Sequence, residues 1–154
     1  MVITNVDAFK EALQQTEQTR DPSALVHLFA DCATIDTPAR EGKLCGPESI
    51  GHFWQEYLAA FQTIRSTFTR EHTIGDTSIL EWVGDGVLAN GRPVHYRGVS
   101  IITFRGYKVH SFTTYYDSAA FHVLPQPKDD IPKPRFMPAD VPIPGPDTNN
   151  EGGD

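Results

Sequence analysis

Apolar residues follow two different periods along this chain, and the change falls near Phe61. Before that point they recur at helical spacing, and after it they alternate. Phe9, Ala12 and Leu13 form the stripe of a first helix, which Asn5 or Asp7 can cap and which ends near Arg20. Asp21-Pro22 reads as a second helix start, a capping residue followed by proline at the first helical position. Leu25, Val26, Leu28 and Phe29 are the face that this helix buries. Ala33 to Thr37 is a short strand stopped by Pro38, and 42–46 is loop. Pro47 opens a third helix, in which Ile50, Phe53, Trp54, Tyr57, Leu58 and Phe61 share one side.

Four strands are predicted beyond it: Ile64 to Ile74, Ser78 to Ala89, Arg92 to Phe104 and Lys108 to Tyr116. The turns between them are Gly75-Asp76-Thr77, Asn90-Gly91 and Arg105-Gly106-Tyr107, short enough to make neighbours antiparallel. Asp117 can start a short last helix or serve as its cap. From Pro125 the pattern stops, and eight of the 12 prolines fall in the last 30 residues. Such a segment forms neither a helix nor an inner strand. The organisation expected is one α+β domain over 1–124, a sheet curled around helices with a pocket between them. A Pro-rich acidic tail, 125–154, follows, either disordered or laid in extended form over a surface through Ile131, Phe136, Met137, Val141 and Ile143.

With 154 residues, 39% of them hydrophobic, the chain can build one real core. Its net charge of -7 argues against a nucleic-acid backbone or an anionic membrane as partner, because both repel an acidic surface. The opening MVITNVDAFKEAL lacks the basic and apolar regions of a secretion signal. No apolar run approaches the roughly 18 residues of a membrane span. A cytoplasmic protein with two reduced thiols, Cys32 and Cys45, is therefore expected, with Cys32 as a small core residue.

Strand parity sorts the side chains into two faces. Leu80, Trp82, Val94, Tyr96, Ser100, Phe112, Thr114 and Tyr116 fall on one, aromatic with a few hydroxyls, which suits the side against the helices. Ile79, Val83, Val99, Ile101, Tyr115 and Asp117 fall on the other, with Glu81 and Arg97 placed to pair across strands. That outer face is too apolar to be wholly solvated, so a homodimer through it is expected.

A ligand pocket is accordingly expected from Trp54, Tyr57, Phe61, Leu80, Trp82, Val94, Phe112, Thr114 and His110. Asp36, desolvated by Trp54 and Tyr57 at the rim, is the candidate base for taking a proton next to a carbonyl. It can equally be a turn residue in Asp-Thr-Pro. Tyr96 and Tyr116 can donate to a developing oxyanion or simply line the pocket. Ser100 and Thr114 can orient a ligand or bond each other. Of six histidines, no two have H-x-x-x-H spacing, so no metal is expected. His72 and His110 share the parity to approach the pocket. There is no phosphate loop, G-x-S-x-G elbow or dinucleotide fingerprint, and no cofactor is expected.

LFADCATIDTP at 28–38, GPESIGHFW at 46–54, YRGVSIITFRGYKV at 96–109 and YYD at 115–117 carry a resemblance over residues 5 to 124. There the chain resembles the nuclear transport factor two-like superfamily, which includes ketosteroid isomerases, SnoaL-like polyketide cyclases and limonene-epoxide hydrolases. The resemblance implies a cone of three helices on a strongly curved, mostly antiparallel sheet enclosing an apolar pocket. The catalytic positions differ. The isomerase base before the strand-ending proline is Thr37 here, its oxyanion-hole Asp falls at Ser100, and its oxyanion-hole Tyr falls near Leu13. The epoxide hydrolase triad falls at Trp82, Gly84 and Thr114. The cyclase acid near the end of the last strand matches only Asp117, which parity places outside. The activity expected is cofactor-free acid–base isomerisation or cyclisation of an apolar carbonyl or polyketide-like molecule, with Asp36 as base. The alternative is a non-catalytic module of the same fold that binds a hydrophobic ligand or dimerises.

Overall fold

The computed structural model describes residues 3–122, so the expected proline-rich tail lies outside the described residues. Helix α1 spans Asn5–Thr19, α2 Ser23–His27 and α3 Pro47–Ala59. The strands are β1 Phe29–Asp36, β2 Leu44–Cys45, β3 Phe61–Ile74, β4 Thr77–Leu88, β5 Pro93–Arg105 and β6 Lys108–Tyr116, followed by a 3-10 turn at Ser118–Phe121. The strands form one six-stranded sheet in the order β2-β1-β6-β5-β4-β3. Only β1 and β6 run parallel, because the chain passes from one to the other through α3 and the whole β3–β5 meander.

Local chemistry explains the helix ends. Thr4 caps α1, its side chain accepting from the Asp7 N–H, and Arg20 closes it in the left-handed conformation at φ 63°. The Arg20 guanidinium then donates to the carbonyls of Leu58, Phe61 and Gln62, which pins the end of α3 and the start of β3 to the end of α1. Asp21 accepts from the Ser23 N–H just ahead of α2, where Pro22 holds the cap position and not the first helical position expected for it. Asp117 likewise accepts from the Ala119 N–H, the capping role open to it from sequence.

The inward face of the sheet is the one parity selected, and it packs on the helices in two apolar clusters. One gathers Phe9, Leu25, Ile35, Trp54, Leu80, Ile102 and Phe112, and the other Phe61, Trp82, Leu88, Val94 and Tyr96. On the outer face Ile79, Val83, Val99 and Ile101 are half-buried and Tyr115 is exposed.

Several expectations are corrected. Leu28 and Phe29 leave the second helix, because Phe29 pairs with Val109 as the first residue of β1. Phe61 leaves the third helix and starts β3 opposite Leu88. The loop at 42–46 contains β2, paired to Thr34 and Ile35. Cys32 is exposed and is not a core residue. A register shift between Phe29 and Thr34 turns it outward and leaves Ala33, fully buried, as the inward residue. Glu81 lies opposite Val99, with Arg97 opposite Val83, so Glu81 pairs instead with Arg70, 3.7 Å away. No helix among the described residues is long and apolar enough to cross a membrane.

Candidate functional site

Two glycines create the room for the site. In the β4–β5 ladder Trp82 lies opposite Gly98 and Tyr96 opposite Gly84. A methyl group on Gly84 would stand 2.6 Å from the Tyr96 ring, and one on Gly98 would stand 2.5 Å from the Trp82 ring. Each large ring therefore lies over the bare backbone of its partner. The two rings meet edge to face at 5.2 Å, and Phe61 stacks on Tyr96 at 6.2 Å. Phe121, brought in by the 3-10 turn, packs on Tyr96 at 4.8 Å.

Between this aromatic wall and the helices lies a cavity of about 310 Å³. Of the side chains singled out in the sequence, it brings together Trp54, Tyr57, Phe61, Trp82, Tyr96, Ser100, Phe112, Thr114 and Tyr116. Five others stand apart from it. Leu80 and Val94 are buried in the packing behind the wall. His110 is the residue that the β5–β6 ladder skips, since Thr103 pairs with Ser111 and Phe104 with Val109. That bulge puts Val109 and Phe112 inward and removes His110 from the cavity. Asp36 sits between Ile35 and Thr37, both buried, so it projects to the opposite face of β1 and Thr37 lines the cavity in its place. His72 is exposed at the far end of β3.

The polar groups of the wall form two sets. In the first, the Trp82 indole N–H donates to Ser100 Oγ at 2.9 Å, and Ser100 shares a second bond of 2.9 Å with Thr114 Oγ1. This cross-strand chain is satisfied within itself. The second set was not singled out in the sequence. Glu17, on α1, is 6% exposed. Its Oε2 accepts from the Ser66 N–H at 2.6 Å and its Oε1 from the Tyr57 hydroxyl at 3.3 Å. The signal was available, because Glu17 lies eight residues after Phe9 and four after Leu13 and so continues the buried stripe of α1.

Burial raises the Glu17 carboxyl above its ordinary value, and the hydrogen bonds from Ser66 and Tyr57 offset part of that rise. Burial also raises both tyrosines. For Tyr57 the proximity of Tyr96 and the Glu17 charge add to it. For Tyr96 the Glu17 charge and then Tyr116 add, while the Tyr57 hydroxyl works the other way. Both phenols therefore stay protonated and act as hydrogen-bond donors. At the solvent end, the Arg40 guanidinium donates to the Glu56 carboxylate, and both residues line the cavity. Among the described residues no three His, Cys, Asp or Glu side chains cluster as metal ligands would. What the arrangement offers is an aromatic slot with hydroxyl donors and one protonatable acid behind them.

The SnoaL-like domain model matches residues 6–112. Among solved structures, an NTF2-like protein from Anabaena variabilis is 22% identical at a TM-score of 0.69, with 75% of this chain and 89% of that one covered. A protein of ketosteroid isomerase-like fold from Catenulispora acidiphila, in complex with trimethylamine, is 24% identical at a TM-score of 0.67, covering 79% and 91%. TerC, co-crystallised with polyporic acid, is 16% identical at a TM-score of 0.64, covering 77% and 92%. At these identities the likeness is one of fold. No curated protein matches the chain.

Proposed function

The chain belongs to the SnoaL-like domain family, and from that footing we propose that its cavity binds a small, flat, apolar molecule bearing an oxygen, of the ketone or polyketide class. One observation carries this reading: a space of about 310 Å³ bounded by aromatic rings that have hydroxyl groups among them. Apolar walls supply affinity, and a few placed donors orient the oxygen. Tyr57 and Tyr96, held as neutral phenols, are suited to donate to it, with Ser100, Thr114 and Tyr116 beside them. That TerC, of the same fold, was co-crystallised with polyporic acid is consistent with a ligand of this kind.

A thermal-shift screen against apolar ketones, steroids, aromatic polyketides and epoxides tests it. A ligand bound only by the folded state, at a hundred times its Kd, adds about 2.7 kcal/mol of stability. One class is expected to raise the melting temperature by several degrees, and no shift from any class would overturn the reading. Acid–base turnover of the bound compound is the second reading. What favours it is the buried acid in hydrogen-bond reach of a cavity tyrosine. Incubating each hit with the protein and chromatographing the mixture decides it, since a pure binder returns the compound unchanged.

The half-buried row Ile79, Val83, Val99 and Ile101 supports a second copy docking on the outer sheet face. Sedimentation velocity is expected to give a dimer that Val99→Lys converts to a monomer. A wild-type monomer at micromolar concentration would remove this part of the proposal.

A further inference from the structure

Glu17 is a carboxyl group with one oxygen already committed. The Ser66 backbone N–H, 2.6 Å from Oε2, requires an acceptor, so Oε2 stays a lone-pair site in either protonation state. A proton on Glu17 therefore resides on Oε1, the oxygen that faces the Tyr57 hydroxyl. An ionised carboxylate only accepts, and a protonated one donates. With Glu17 ionised, Tyr57 must give its proton to Oε1 and turn lone pairs toward the cavity. With Glu17 protonated, Oε1–H donates to the Tyr57 oxygen, and the phenol proton is free to point at a ligand.

We propose that Glu17 is a polarity switch for the cavity, setting through Tyr57 whether the site takes a hydrogen-bond acceptor such as a ketone or a donor such as an alcohol. The proposal rests on the reading of the cavity as a ligand site and adds the chemistry of the group recognised there. It makes Glu17 a positioning residue that acts on the ligand through Tyr57.

The surroundings of Glu17 allow its charge to change without a competing titration close by. Tyr57 of α3 and Tyr96 of β5 face it, with Tyr116 of β6 behind, and β3 contributes the uncharged Ser66. The guanidinium side chains of Arg20, after α1, and Arg65 of β3 share with Glu17 the groove on its outer side. Because burial lifts its pKa, Glu17 exchanges its proton above the ordinary glutamate range. Among the described residues the Arg40–Glu56 ion pair also lines the cavity, at the solvent end where water screens it.

The test uses two probes of one shape, methyl naphthyl ketone and the secondary alcohol made by reducing it. Their affinities for the full chain are measured from about pH 4 to about pH 9, upward from the ordinary glutamate range, the direction in which burial moves this carboxyl. In the wild type the ketone-to-alcohol affinity ratio is expected to fall about tenfold as pH rises through the Glu17 transition, the effect of one well-placed hydrogen bond. Glu17→Gln places an amide oxygen on the Ser66 N–H and an amide donor on Tyr57. It is expected to hold the ketone-preferring ratio at every pH. Tyr57→Phe is expected to remove both the preference and its pH dependence.

A flat ratio in the wild type with both probes bound overturns the switch and leaves the ligand site standing. So does a pH step that survives in Glu17→Gln, which would assign it to Glu56. Failure of both probes to bind wild-type protein at any pH overturns the ligand site itself, and the switch with it. Should Glu17→Gln fail to fold, Glu56→Gln takes its place: a pH step retained there supports the switch, and a step lost there overturns it.

Discussion

Gly86→Ala is expected to lower the melting temperature by about 10 °C or more, from a loss above about 3 kcal/mol. The added methyl group would stand 2.0 Å from the Thr63 carbonyl oxygen and 2.9 Å from the Ile64 Cα. Both are backbone atoms of β3 in the stretch where its pairing with β4 shifts register, between Phe61 and Thr63. A side chain in the way can change rotamer, but a paired strand can only separate. The relief would therefore have to come from the β3–β4 ladder, which also carries Phe61 and Ser66 to the cavity. Gly84→Ala is the control. Its methyl group meets the Tyr96 ring, which can move. It is expected to cost less stability and to weaken ligand binding instead. Thermal melts followed by circular dichroism separate the two. Equal melting temperatures for Gly86→Ala and wild type would mean that β3 and β4 are not so closely apposed.

Phe112→Ala is the second change with a large expected effect. The ring is 4% exposed, with Trp54 at 5.5 Å, Phe9 at 5.6 Å, Phe29 at 6.2 Å and Phe53 at 6.5 Å between centroids. Rings of α1, β1 and α3 all pack against it, so its removal leaves a hole that no single element can collapse to fill. Truncating such a ring costs about 3–5 kcal/mol. Urea unfolding is expected to show this as a lower midpoint at unchanged slope, since the surface exposed on unfolding scarcely changes. Phe112→Leu, which keeps most of the volume, is expected to cost under about 1.5 kcal/mol. Because the ring also lines the cavity, the alanine variant is expected to lose preference for flat ligands. A cost below about 1 kcal/mol for Phe112→Ala would contradict the packing described.

Much of the cavity wall is legible in the sequence, because a strand's side chains alternate whatever it is paired with. Trp82, Tyr96, Ser100, Phe112, Thr114 and Tyr116 needed only parity and the position of the turns. The end of that parity was not legible. His110 is placed by counting along its strand, and the count passes through a register shift; Cys32, expected as a small core residue, is turned outward by another. A bulge is a property of two strands, so one strand's sequence does not mark it. Phe29 and Phe61 were counted into helices for a related reason. Both are apolar residues at a boundary, and their pairing with Val109 and Leu88 decided for the strand.

The candidate site divides along the same line. By itself the sequence determined the α+β layout, the inward face of the sheet, the aromatic and hydroxyl character of the cavity wall, and the capping role open to Asp117. Those are local properties of period, turn chemistry and side-chain type. It also placed Glu17 on the buried stripe of α1 without saying what makes a buried acid tolerable there. Only the tertiary structure decided that, by bringing in the Ser66 N–H from 49 residues away and the Tyr57 hydroxyl from 40 away. It likewise turned Asp36 off the cavity and Thr37 onto it. An acid's role depends on the donors and the dielectric around it, and in this protein those come from elements far apart along the chain.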